Sequence, residues 1–194
     1  MITLYIARHG QTNANVADRY PGRRETPLTA LGMEQAAAIG RALRRELGPA
    51  PALEFIASPL GRAQHTMRIV RETLGATADG FASDPRLLDI DHGDWTGLTP
   101  AEVRERFPEN FAQHRADMWN IPMQGGESYA DLAARVQSFL DQIRSDAVTV
   151  SHGATSQMLR GLSTGMDHLD IVGLPETQGV VFRVRDRMIA QLDS

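Results

Sequence analysis

The chain has no cysteine among its 194 residues, which excludes disulfides, thiolate metal sites and cysteine nucleophiles, and fits a reducing cytosol without requiring one. It has no apolar run approaching the ~20 residues of a membrane-spanning helix. It has no basic leader either: Met1-Ile2-Thr3-Leu4-Tyr5-Ile6-Ala7 reaches Arg8 too soon for a secretory signal. Positive charge is not in excess, and a formal net charge of −4 gives no general attraction to nucleic acid or anionic membrane. Any anion bound here must therefore be held by a local site. No repeat, low-complexity tract or linker divides the chain. With 42% apolar and 23% charged residues, the expectation is an ordinary cytoplasmic globular protein, one domain over residues 1–194.

Short apolar runs ending in polar clusters organise the chain. Ile2 to Ala7 reads as a buried strand that delivers Arg8-His9-Gly10 at its C-terminal end. Thr29 caps a predicted helix with Met33, Ala36, Leu43 and Leu47 on one face, stopped by Gly48-Pro49. Phe55-Ile56-Ala57 is a brief strand, with Ser58 as the N-cap and Pro59 as the first residue of a helix carrying Arg62 in its first turn and Met67, Val70 and Leu74 as its stripe. The Pro-punctuated middle, Gly75 to Gly126, is less regular, and about 98–126 is expected to be a cap or substrate segment. Ser128-Tyr129-Ala130-Asp131 opens a helix with Leu132, Val136, Phe139 and Ile143 on one face. Ala147 to Val150 is a strand delivering Ser151-His152-Gly153, followed by a helix from Thr155 to Leu162. Two last runs, 180–184 and 188–192, form a predicted hairpin. This alternation points to an α/β three-layer sandwich, a mainly parallel sheet with helices on both faces.

The positions of the polar clusters point to the chemistry. In open α/β sheets, ligands bind beyond the C-terminal ends of the strands, so one sheet edge gathers His9, His152, Arg8 and Arg62. A neutral imidazole is a nucleophile, while a phosphoryl group in transfer needs cations and N–H donors around its oxygens. Guanidinium groups and helix starts supply them. Taken singly, each residue has a bland explanation: a polar strand end, or a surface arginine on an amphipathic helix. Metal binding by His9, His92 and His152 lacks any ligand spacing to support it. Asp89-Ile90-Asp91-His92-Gly93-Asp94 lacks the twelve-residue loop of a calcium site.

Together the motifs resemble those of the histidine phosphatase superfamily, also called phosphoglycerate-mutase-like. The resemblance rests on Arg8-His9-Gly10-Gln11-Thr12 with Asn15, Pro27-Leu28-Thr29-Ala30-Leu31-Gly32, Ser58-Pro59-Leu60-Gly61-Arg62-Ala63, Gly93-Asp94-Trp95-Thr96-Gly97, Gly125-Gly126-Glu127-Ser128 and Ser151-His152-Gly153, in order along nearly the whole chain. It implies that His9 takes the phosphoryl group as a phosphohistidine while Arg8, Arg62 and His152 hold it, with Asn15, Gln11, Thr12, Gly22 and Gly153 as substrate contacts, and that neither metal nor cofactor takes part. Where the family usually places a glutamate as general acid, this chain has Asp89, with Asp91 as the fallback; alternatively both acids only order a turn. Thr96 stands where an acid is common, and Ala14 replaces a common aromatic residue.

The expected function is a phosphomonoesterase acting on a small phosphorylated metabolite. The rivals are a phosphoglycerate mutase, disfavoured because the segment after Gly97 is short and lacks a paired-arginine pattern, and a phospholigand-binding protein left idle by the shortened acid. A phosphoprotein phosphatase would require an open site. Phe107, Phe111, Met118 and Trp119 either line a substrate pocket or form a satellite core. Neither nucleic acid nor membrane is an expected partner, and a homodimer is compatible with the sequence.

Overall fold

Leu4, Tyr5, Ile6 and Ala7 are all buried, as a strand covered on both faces requires. In the computed structural model, which describes residues 2–193, they lie in β1 (Leu4–Arg8), followed by the short α1 (Asn13–Val16) and the long α2 (Ala30–Leu47). Next come β2 (Glu54–Ala57), α3 (Gly61–Leu74) and the two-residue β3 (Ala82–Ser83). The irregular middle carries α4 (Pro100–Arg106) and α5 (Pro108–Ala116). The chain closes with α6 (Tyr129–Leu140), β4 (Ala147–Ser151), α7 (Gly153–Thr164), α8 (His168–Val172), β5 (Val181–Arg185) and β6 (Met188–Leu192).

The six strands make one sheet in the order β3-β2-β4-β1-β5-β6. β1, β2, β3 and β4 run parallel, and β5 and β6 join antiparallel at one edge. Alternation along the strands sorts the core into two layers. Tyr5, Ala7, Phe55, Val148 and Val150 pack under Ile39 and Leu43 of α2 and Met67 and Val70 of α3. Leu4, Ile6 and Ala147 face the opposite way, toward Leu132 and Val136 of α6 and Met158 and Leu159 of α7. This is the expected α/β sandwich. Among the described residues no helix is long and apolar enough to cross a membrane.

The expected elements form, with local corrections. Met33 is exposed on α2, whose buried stripe runs instead through Ala36, Ile39 and Leu43. Ile143 is buried but lies beyond the end of α6, and α7 starts at Gly153, two residues before the predicted Thr155. α3 starts at Gly61, and Ser58 does not cap it. The Glu25 carboxylate accepts from the Gly61 N–H instead, at 3.0 Å, which releases the Ser58 hydroxyl for the site. The final hairpin turns at Asp186 and Arg187, both at positive φ (53° and 60°), the conformation a two-residue turn needs to match strand twist. Of the aromatic and Met residues in the middle segment, Phe107, Phe111 and Trp119 pack against the core, whereas Met118 also lines a cavity.

Candidate active site

The register of the sheet brings the two histidines together. Arg8 is paired with Ser151 at the parallel ends of β1 and β4, so the next residues, His9 and His152, leave adjacent strands at the same level. Their ring centroids lie 5.2 Å apart at 62°, both rings are buried, and α7 starts immediately after His152.

Hydrogen bonds set the His9 tautomer. Its Nδ1 is 2.7 Å from the Gly10 carbonyl oxygen, an acceptor only, so Nδ1 carries the proton and Nε2 keeps its lone pair. The Arg62 Nε–H points at that lone pair from 3.3 Å. Burial, reinforced by the Arg62 and Arg8 cations and only partly offset by Gly10, pushes the His9 imidazole well below its ordinary value. It is therefore neutral at physiological pH, as a nucleophile must be.

Arg62 is fully buried in the first turn of α3, and each of its two terminal nitrogens has a partner: Nη1 donates to the Arg24 carbonyl at 2.9 Å, and Nη2 to the Gly22 carbonyl at 2.7 Å and to Asp89 Oδ2 at 3.0 Å. Asp89 Oδ1 accepts from the Ile90 N–H at 3.0 Å. Its carboxylate is 3.8 Å from His152 Nδ1 and lines the pocket over His9. Asp91 does not face the pocket. It accepts from the Gly93 N–H at 3.0 Å and pairs with Arg23 at 3.2 Å, and residues 89–91 belong to no strand, so no sheet ladder holds both acids to one face. Asp91 orders a turn, which removes it as the fallback acid.

Burial, and then the surrounding cations and His9, likewise lower the His152 imidazole well below its ordinary value. Its Nε2 is 2.7 Å from the Ser58 hydroxyl, and its Nδ1 has no partner among the described residues. Arg8 Nη1 donates to the Glu176 carbonyl at 2.6 Å and lies 3.2 Å from its carboxylate. Arg8 Nε is buried and unpartnered among the described residues. Asn15 has its amide oxygen occupied by the Thr12 N–H and hydroxyl, each at 3.0 Å, and by Gln178 Nε2 at 3.1 Å. Its Nδ2 is thereby left to the pocket it lines.

The pocket above His9 has a volume of about 260 Å³. Arg8, Asn15, Asp89 and Gly153, all expected from sequence, line it, and the buried His152 and Arg62 adjoin His9. Gln11, Thr12 and Gly22 do not line it, and their hydrogen bonds lie in the framework around it. Gln11 Oε1 accepts from the Thr29 hydroxyl at 2.9 Å and ties the loop to α2. Thr12 is the buried N-cap of α1. Gly22 holds Arg62 through its carbonyl, at φ +51° and with Thr96 packed where a side chain would project. Tyr20, His92, Tyr129 and Glu176 also line the pocket and were not expected. The Gly-x-Trp-x-Gly block adjoining His92 was the nearest signal, and nothing in sequence marked Glu176. Burial raises the Glu176 carboxyl, with Arg8 opposing. Among the described residues, no three His, Asp or Glu side chains cluster as a metal site.

The sequence profile of the histidine phosphatase superfamily (branch 1) matches residues 4–187. The chain belongs to that superfamily. This histidine phosphatase superfamily member is 31% identical over 173 residues to phosphoserine phosphatase 1 of Hydrogenobacter thermophilus, covering 86% of this chain and 78% of that one. It is also 31% identical over 191 residues to a 2,3-bisphosphoglycerate-dependent phosphoglycerate mutase of Methylorubrum extorquens, covering 94% and 89%. Its fold superposes on the alpha-ribazole phosphatase of Shigella flexneri with a TM-score of 0.85 at 26% identity, over 100% of this chain and 96% of that one. Its relatives thus include both phosphatases and mutases.

Proposed function

We propose that the chain is a metal-independent phosphomonoesterase that works through a phosphohistidine on His9 and acts on a small phosphorylated metabolite. The observation that carries this reading is the state of His9: neutral, with Nδ1–H held by the Gly10 carbonyl and the Nε2 lone pair presented to the buried Arg62. His9 Nε2 attacks phosphorus in line, the N–P bond forms and the ester P–O bond breaks. Arg8 Nε, His152 Nδ1, Asn15 Nδ2 and the start of α7 stabilise the equatorial oxygens, joined by Arg62, whose Nε–H leaves the His9 lone pair for a phosphoryl oxygen as that nitrogen attacks. Asp89, which takes up a proton as the phosphate anion binds beside it, gives that proton to the departing alkoxide. It then takes a proton from water, which attacks phosphorus, so that the N–P bond breaks, phosphate leaves and Asp89 is again the acid.

Phosphatase is favoured over mutase by the charge in the pocket. Arg8 is paired with Glu176, Arg19 with Glu102 and Arg62 with Asp89, and the pocket is also lined by Asp18. A phosphoglycerate would bring a carboxylate in addition to its phosphate, and among the described residues no unpaired cation lines the pocket to receive it. The test is phosphate release from a panel of unactivated phosphomonoesters in EDTA, with His9→Ala beside the wild type. Release by the wild type alone is expected; equilibration of 2- and 3-phosphoglycerate faster than phosphate release would contradict the reading.

A further inference from the structure

Beside the catalytic pocket lies a second chamber of about 180 Å³. Tyr20, Ile90, His92 and Tyr129 line both. The walls of the second are completed by Trp95, His114, Met118 and Met123, with the exposed Arg115 at the rim. The surroundings are largely rings: Tyr20 lies 5.0 Å from His92 and 5.8 Å from Trp95, and Trp95 meets His114 edge-on at 5.2 Å. The Met118 and Met123 thioethers adapt readily to flat partners. Burial holds the His92 and His114 imidazoles below, and the Tyr20 and Tyr129 phenols above, their ordinary values, so these four walls are uncharged near pH 7.

Two polar atoms in these walls are unsatisfied. His92 is 8% and Trp95 1% exposed, and neither His92 Nδ1 nor Trp95 Nε1 has a hydrogen-bond partner among the described residues. Buried polar groups are nearly always paired, so such exceptions point to a missing partner, and an indole N–H accepts only an acceptor as one. A cavity of ~150 Å³ accepts a benzene-sized ring.

Building on the phosphatase reading, we infer that this chamber receives the leaving group of the substrate, and that this group is a flat, uncharged aromatic or heteroaromatic ring joined to the phosphate by a short aliphatic link. The ring lies among Tyr20, His92 and Trp95.

The test compares benzyl phosphate and 3-pyridylmethyl phosphate with glycerol 3-phosphate, all esters of poorly leaving alcohols. Burying a ring predicts kcat/KM at least about tenfold higher for the two aromatic esters. Met118→Trp, which fills the chamber, should lower that ratio at least about tenfold. Binding is read separately, by quenching of tryptophan fluorescence with benzylphosphonate and methylphosphonate; benzylphosphonate should bind at least about tenfold more tightly. Turnover with no preference for the ring, or a ratio unmoved in folded Met118→Trp, overturns the chamber while leaving the phosphatase intact. Tighter benzylphosphonate binding without turnover of any ester supports the chamber and contradicts the phosphatase.

Discussion

The Ser58 hydroxyl lies 2.7 Å from His152 Nε2 and accepts a weaker contact from the Leu60 N–H at 3.4 Å. A Ser58 hydroxyl that donates its one proton to His152 Nε2 fixes the neutral ring as the Nδ1–H tautomer. Nδ1 of the neutral ring then carries hydrogen and is a free donor inside the site. Ser58 thus decides whether His152 offers the phosphoryl group a proton or a lone pair. Ser58→Ala should lower kcat by about 10- to 100-fold, as loss of an orienting partner does elsewhere, with little change in fold. Steady-state kinetics beside a far-ultraviolet dichroism spectrum would check this, and unchanged kcat would remove Ser58 from the site.

Asp89 lines the pocket together with Asp18 and Glu176, and Asp91 is committed to its turn. Asp89→Asn should slow esters of poorly leaving alcohols by about 100-fold or more, within the usual range of general acid catalysis. Hydrolysis of p-nitrophenyl phosphate should fall far less, since its leaving group hardly needs a proton. Equal slowing of both classes would take the acid role away from Asp89.

On the proposed reaction, Glu176 competes with the phosphoryl group for Arg8. Its carboxylate pairs with Arg8 at 3.2 Å, and a side chain at Gly153 would run into it. Glu176→Gln should tighten product inhibition by inorganic phosphate about three- to tenfold, as removal of a like charge from a partly buried site does. Weaker phosphate binding in the variant would mean that Glu176 orients Arg8 rather than competing at it.

The four imidazoles of His9, His92, His114 and His152 are all lowered by burial. In the unfolded chain each titrates near ~6.5, so on acidification the unfolded state takes up protons that the folded state refuses. Stability should therefore fall as pH drops below about 6.5, by up to about 1.4 kcal/mol per pH unit for each such group. Glu176, raised by burial, acts in the opposite sense, but as one group against four. A melting temperature that falls between pH 7 and pH 5.5 is expected; a flat or rising profile would contradict neutral buried imidazoles.

His9 and His152 were legible in the sequence because each comes directly after a short apolar run, and parallel strands in register bring the residues at their C-terminal ends to one edge. Arg62 was legible because a helix start was visible after Ala57, although the cap itself was misread: Glu25, 36 residues away in sequence, took over the role assigned to Ser58. Tyr20, His92, Tyr129 and Glu176 escaped because no local periodicity marks a residue whose place depends on how distant loops meet. The same limit applies to Gln11, Thr12 and Gly22. Their nearness to motif residues suggested contact with substrate, whereas their hydrogen bonds hold Thr29, Asn15 and Arg62 in position.

Everything proposed for the reaction depends on a covalent bond between His9 Nε2 and phosphorus. That bond is caught by rapid quenching in alkali during turnover of a radiolabelled phosphomonoester, with EDTA present, and by mapping of the label. Acid-labile, base-stable label is expected on the His9 peptide of the wild type, with none in His9→Ala. Label on another residue, label that survives in His9→Ala, or turnover abolished by EDTA and restored by a divalent ion would contradict a metal-independent phosphohistidine at His9.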